Sequence, residues 1–228
     1  MSIENRLIVA LDLPERERIV DFAKRLGPEV GMVKIGLEAF IAHGPDLVRE
    51  IVDAGAKVFL DLKVHDIPRT AAAAVRQAST LGASLLTIHR AGGAEMIRAS
   101  KVEAHNGLEI LAVTVLTSFD EDGLAALGYR EGVSGTVRRL AELSLENGAD
   151  GLVCSSHELE LLGDLGGHRV VPGIRPAGAA HGDQKRVATP SEAVKRGASW
   201  IVVGRPIVQS DDPVAASRAI VAELDTLS

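Results

Sequence analysis

Two carboxylates and an ammonium stand within six residues in the phrase Asp61-Leu-Lys-Val-His-Asp-Ile-Pro68. The run just before it, 57–60, reads as a buried strand, and side chains two apart on a strand share a face, so Asp61 and Lys63 are expected to point the same way. Asp66 follows the strand's end, where Pro68 forbids further pairing, and all three charges are expected to converge at one strand mouth. Holding them there costs desolvation free energy that a Val or Thr would avoid. Chemistry accounts for such a cluster better than stability does. Asp12 and Lys34 stand at or near the ends of two earlier apolar runs. On neighbouring strands about 4.8 Å apart, Asp12, Lys34, Asp61 and Lys63 would alternate acid with base, each charge favouring the ionised form of the next. The result is a fixed field with a cationic acid inside it.

A second constellation lies nearer the C-terminus. Pro172-Gly-Ile-Arg-Pro176 and Gly204-Arg-Pro206 each follow an apolar run. Glycine admits close approach of backbone N–H groups to an anion and arginine adds charge-assisted hydrogen bonds, so Arg175, Gly204 and Arg205 read as a phosphate site, against ordinary turn glycines. Gln184, in the long segment between the phrases, is a candidate lid contact. His65 and His89 lack a partner at ligand spacing and a lysine nearby repels a cation, so no metal is expected. His65 is expected to brace its loop by hydrogen bonding and His89 to cap its strand. Cys154, the sole cysteine, sits in a strand-like run and reads as packing.

The elements that must position these groups recur regularly. Apolar runs at 6–12, 31–36, 56–63, 84–89, 109–116, 151–155, 169–173 and 200–204 read as eight buried strands. Helical periodicity falls at 15–26, 45–54, 70–81, 94–104, 136–147, 157–162, 191–196 and 212–226. Three helices end in Asp53-Ala-Gly-Ala, Glu146-Asn-Gly-Ala and Lys195-Arg-Gly-Ala, each placing glycine where a helix stops in left-handed geometry. Strands without polar alternation, separated by helices, imply a parallel sheet covered on both faces. Polar residues at many strand ends favour a closed (β/α)8 barrel over an open doubly wound sheet, which would gather them at one switch point. The barrel is expected to occupy residues 1–228 as a single domain, with glycine-rich, polar excursions at 119–134 and 176–190 as mobile loops over its rim.

With 46% hydrophobic residues in 228, the chain can bury the core of such a barrel. A net charge of −6 without a basic run argues against nucleic acid or an anionic membrane as partner. The first six residues carry no basic-then-apolar leader and no apolar run approaches the roughly 18 residues of a membrane span, so a cytoplasmic location is expected.

Taken together, Val9-Ala-Leu-Asp12, Val33-Lys-Ile-Gly36, Phe59-Leu-Asp-Leu-Lys-Val-His-Asp-Ile-Pro68, Val113-Thr-Val-Leu-Thr-Ser118, Pro172-Gly-Ile-Arg175, Gly182-Asp-Gln184 and Val203-Gly-Arg-Pro206 resemble the bacterial orotidine 5'-phosphate decarboxylases, essentially end to end. The resemblance implies cofactor-free conversion of orotidine 5'-monophosphate to uridine 5'-monophosphate and carbon dioxide, the last step of de novo pyrimidine nucleotide synthesis, by a homodimer with shared active sites. It also implies roles: Lys63 as proton donor; Lys34, Asp61 and Asp66 completing the charged network, Asp66 from the partner; Asp12 and Lys34 at the ribose. Thr117 and Ser118 would border the pyrimidine, Thr70 would help from the partner chain, and Arg175, Gln184, Gly204 and Arg205 would hold the phosphate. Arg90 departs from the family pattern, which has a small residue there, and is expected at the dimer seam or in a surface ion pair. The rival enzyme reading is a metal-dependent sugar-phosphate lyase or decarboxylase on a related barrel; the rival outside enzymes is a non-catalytic nucleotide-phosphate sensor.

Overall fold

A computed structural model describes residues 5–176 and 188–227. Eight strands, β1 (Leu7–Ala10), β2 (Met32–Gly36), β3 (Val58–Val64), β4 (Leu85–His89), β5 (Glu109–Val113), β6 (Gly151–Val153), β7 (His168–Val171) and β8 (Trp200–Val203), pair in chain order. All pairings are parallel, and β1 pairs with both β2 and β8, so the sheet closes into a barrel. Helices α1 (Arg16–Leu26), α2 (Leu37–Asp53), α3 (Pro68–Thr80), α4 (Gly93–Val102), α5 (Glu121–Ala126), α6 (Gly132–Glu146), α7 (Pro190–Lys195), α8 (Arg205–Val208) and α9 (Pro213–Asp225) lie between and after the strands. None of them is long and apolar enough to cross a membrane.

Helical spacing explains the outer layer. In α6 the buried residues are Val133, Thr136, Val137, Leu140, Ala141 and Ser144, one stripe at intervals of three and four. Where α2, α6 and α7 give way to the next strand, Gly55, Gly148 and Gly197 adopt φ of +92°, +99° and +103°, which a Cβ would strain. The stripes and the outward strand faces make the larger apolar cluster.

The period of two makes the inner one. Ile8, Ala10, Met32, Phe59, Leu85, Leu111, Val170, Trp200 and Val202 pack together inside the barrel. Two residues further along three of these strands the inward positions carry Lys34, Asp61 and Thr87. The same alternation that fills the lower barrel with hydrocarbon therefore delivers polar groups to its C-terminal end.

Several boundaries differ from the sequence reading. The strand at β5 stops at Val113, and Asp12, Thr117 and Arg175 lie in loops beyond their strands. The second helix starts at Leu37, ahead of 45–54, and breaks at Gly44 (φ +69°), where Pro45 begins its second part. Within 119–134, expected to be a mobile loop, Asp120 accepts a hydrogen bond from Gly123 N at 2.9 Å and caps α5. No helix forms over 157–162. It forms successive turns instead, with Leu162 N donating to Glu158 O at 3.1 Å, and the 7%-exposed Arg169 guanidinium donates to the carbonyls of Leu162 and, just beyond, of Leu165, Gly166 and Gly167. That harness ties down the last turn. Arg169→Met should leave those acceptors without a partner and lower stability by about 3 kcal/mol, measured by urea unfolding. A loss below roughly 0.5 kcal/mol, the size of an ordinary surface substitution, would show that the harness is dispensable.

Candidate active site

The site begins with an irregularity in β3. Between the pairs Leu60↔Leu86 and Val64↔Ile88, β3 advances four residues while β4 advances two. The surplus forms a bulge in which Lys63 has φ +51°, left-handed geometry that costs a non-glycine residue about 1–3 kcal/mol. In place of a ladder partner, Lys63 N donates to Thr87 Oγ1 at 2.8 Å. The turned backbone brings Lys63 Nζ to 2.8 Å from Asp61 Oδ1. The expectation that the two side chains share a side holds, but a bulge achieves it rather than a regular strand.

Asp61 is the hub. Its Oδ1 also accepts from Thr87 Oγ1 at 2.9 Å, and its Oδ2 lies 3.7 Å from Lys34 Nζ. Lys34, 8% exposed, donates in turn to Asp12 Oδ1 at 3.0 Å. Burial alone would raise the Asp61 pKa; the Lys34 and Lys63 charges and the hydrogen bonds from Lys63 and Thr87 outweigh it and hold the carboxyl below its ordinary range. Because the folded value is depressed, the stabilisation from this ionisation is present above the unfolded 3.8 and disappears as pH falls through the folded value.

Glycine makes room for the lattice. A Cβ on Gly36 would sit 2.7 Å from Asp12 Oδ1 and 3.0 Å from Lys34 Nζ, although its φ of −87° suits any residue. Here glycine matters for space rather than conformation: a Cβ would push the Asp12 carboxylate and the Lys34 ammonium from their present positions.

Two compartments meet at this hub. One, about 200 Å³, is walled by Phe59, Val113, Val115, Val153, Val170 and Val202, with Lys34, Asp61, Lys63 and Thr117 facing it. The other, about 380 Å³, is lined by Asp12, Gly173, Arg175, Gly204 and Arg205. Lys34, Asp61, Pro172 and Val202 belong to both. The first suits a flat, uncharged ring and the second an anion.

Residues 5–220 match the family described as orotidine 5'-phosphate decarboxylase / HUMPS. The chain is 52% identical to the orotidine 5'-phosphate decarboxylase of Anaeromyxobacter dehalogenans over 227 residues, 98% of this chain and 100% of the relative. It is 47% identical to that of Gluconobacter oxydans over 98% of this chain and 99% of the relative. The crystal structure of orotidine 5'-phosphate decarboxylase from Lactobacillus acidophilus superposes with a TM-score of 0.86 at 37% identity, covering 97% of this chain and 99% of that one. The chain belongs to the orotidine 5'-phosphate decarboxylase family.

Of the residues that resemblance to the decarboxylase family singles out, Asp12, Lys34, Asp61 and Lys63 come together in one chain. Asp66 does not join them. Its Oδ1 accepts from Ile67 N at 2.7 Å and its side chain is exposed, because the chain has left the barrel by this point to enter α3. Thr70, on the first turn of α3, is exposed as well. Ser118 is exposed beside Thr117 and lines neither compartment. Gln184 lies outside the described residues.

The histidines and Arg90 depart from expectation. His65 and His89 stack with ring centroids 5.3 Å apart, and Ala91 N donates to His89 Nδ1 at 3.4 Å, so His89 caps the single 3-10 turn Arg90–Gly92 rather than its strand. Burial, then the His65 and Lys63 charges, lower the His89 pKa. Arg90 is 8% exposed, with Nε buried and without a hydrogen-bond partner among the described residues, a setting that does not suit a surface ion pair. Burial pushes the Cys154 thiol well above its ordinary range, which fits a packing residue.

Sequence reading missed Thr87 and Gly36. The signal for Thr87 was present as the one hydroxyl in Leu85-Leu-Thr-Ile-His89, two places past an inward leucine. The strain at Lys63 gives a direct test: Lys63→Gly should be more stable than Lys63→Ala by about 1 kcal/mol, since both lose the ammonium but only glycine relieves φ +51°. Equal denaturation midpoints would show that the bulge is not strained.

Proposed function

We propose that this chain decarboxylates orotidine 5'-monophosphate to uridine 5'-monophosphate and carbon dioxide, the last step of de novo pyrimidine nucleotide synthesis. One observation carries the reading: an apolar compartment the size of a base, with the Asp61–Lys63 pair at its edge, opens into a second compartment bearing arginines and glycines. The pyrimidine occupies the first, bordered by Thr117. Asp12 and Lys34 hold the ribose, and Arg175, Gly204, Arg205 and Gln184 hold the phosphate.

Breaking the bond from C6 to the carboxylate leaves an electron pair on C6 with no adjacent carbonyl to spread it. Lys63 stabilises that charge as it develops and delivers a proton from Nζ to C6; water then restores the ammonium. Asp61 holds Lys63 in place, and the hydrocarbon walls strengthen every charge interaction inside. The remote phosphate contacts supply binding energy for closing the site. No cofactor enters these steps. Lys34, Lys63 and Thr87 already engage both oxygens of Asp61, which disfavours the metal-binding carboxylate set of a sugar-phosphate lyase, and the intact lattice disfavours a retired sensor.

The enzyme acts as a homodimer in which Asp66 and Thr70 serve the partner's site. Both are exposed next to Ile67, a large apolar side chain left 66% exposed. The protein is a small-molecule enzyme of the cytoplasm, without nucleic-acid or membrane partners, a reading supported by a net charge of −6 without a basic run.

Loss of the substrate's ultraviolet absorbance tests the activity. Turnover should persist in a chelator and fall by ~10³-fold or more in Lys63→Ala with the fold retained. Turnover that requires added magnesium, or a Lys63→Ala rate near wild type, would refute the mechanism. The shared site has its own test. Lys63→Ala and Asp66→Asn, each inactive alone, should regain about a quarter of wild-type activity when dissociated, mixed and reassociated, because half the dimers are mixed and each holds one intact site. No recovery would place Asp66 outside the partner's site.

A further inference from the structure

Thr87 takes part in the site through a single oxygen, and its position leaves that oxygen no freedom. It is fully buried on β4 and opposite the β3 bulge. A hydroxyl has one proton to donate and two lone pairs that accept. Lys63 N can only donate, so the 2.8 Å contact from it occupies a lone pair. The proton must therefore point along the 2.9 Å contact to Asp61 Oδ1. That same oxygen receives Lys63 Nζ. The three contacts close a ring in which the Lys63 amide donates to the hydroxyl, and the hydroxyl and the Lys63 ammonium both donate to the same carboxylate oxygen.

Resting on the function proposed above, we infer that Thr87 is the positioning residue for Lys63: its hydroxyl holds the Lys63 backbone in the left-handed bulge and fixes Asp61 as the acceptor that aims the ammonium. Without the hydroxyl, Lys63 N loses its partner, and the strained conformation at φ +51° loses the contact that holds it. The ammonium then samples positions away from C6, and a displacement of about 1 Å at a reacting group costs roughly 100-fold in rate. The charges around Asp61 are Lys34 from β2 and Lys63 from β3, with Asp12 behind Lys34 and His89 near Lys63 from β4. Thr87 adds a hydrogen bond that favours the ionised carboxylate. Removing it moves Asp61 toward protonation, so the acid limb of the rate profile shifts to higher pH.

The test replaces the hydroxyl in steps at nearly constant volume: Thr87→Ser keeps it, Thr87→Cys weakens it and Thr87→Val deletes it. The expected result is a kcat reduced roughly 100-fold in Thr87→Val and by an intermediate factor in Thr87→Cys, with KM changed less than about threefold. Thr87→Ser should retain at least about a third of wild-type kcat, and the acid limb should rise in the order Ser, Cys, Val. Equal losses in Ser and Val with an unmoved acid limb, or a Val variant within threefold of wild type, would overturn the inference. If Thr87→Val fails to fold, the Ser-to-Cys step decides it by the same readings. A second arm needs no substrate: hydrogen exchange at the Lys63 amide should accelerate in Cys and Val but not in Ser, and unchanged exchange would refute the anchor. Failure of wild-type protein to consume orotidine 5'-monophosphate would strike the function proposed above and leave the exchange arm to decide the anchor.

Discussion

A carboxylate between two ammonium groups is the interaction on which this structure turns. Asp61 is mostly buried, a position that by itself favours the neutral acid, yet Lys34, Lys63 and the Thr87 hydroxyl reverse that preference. Remove the negative charge, and Lys34 is left facing Asp12 while Lys63 loses its counter-ion among the described residues. Each member of the lattice is thus tolerable because the others are present, the usual condition for burying charge. The lattice also leaves one ammonium at the edge of a hydrocarbon-walled space, where charge acts most strongly.

The barrel supports this arrangement by dividing labour along its axis. Below the lattice, Met32, Phe59 and Leu85 fill the interior with hydrocarbon; two residues higher, Lys34, Asp61 and Thr87 bring charge and hydrogen-bonding groups to the same axis. The bulge in β3 then corrects what a regular strand would leave wrong, by turning the Lys63 backbone so that Nζ returns to Asp61. Strain at Lys63 and empty space at Gly36 are local costs of that geometry, borne by a closed sheet whose other strand pairs keep a constant register.

Much of this was legible in the residues. Uniform apolar runs alternating with amphipathic stripes foretold a parallel sheet covered on both faces, and polar residues at the ends of many strands foretold its closure into a barrel. The Asp61–Lys63 pairing followed from strand periodicity, though the bulge that produces it did not: no local residue type marks a lysine for positive φ. Gly36 was equally silent, since its glycine serves two side chains and not its own backbone. The segment 157–162 misled because its Leu and Glu residues favour a helix, while the chain there makes only successive turns, the last carbonyl of which, Leu162, bonds Arg169 from later in the chain. Asp66 was placed in the same mouth as Asp61 because sequence distance does not reveal that the chain has already left the barrel.

The most direct measurement is a carbon-13 NMR titration of the Asp61 carboxyl carbon in wild-type protein, followed down to the acid limit of the folded state. The account requires a midpoint below the ordinary 3.8, with the resonance still that of a carboxylate where exposed aspartates are already half protonated. A midpoint at or above 3.8 would mean that burial outweighs the two lysines and the threonine, and the charged lattice at the barrel mouth would not exist as described.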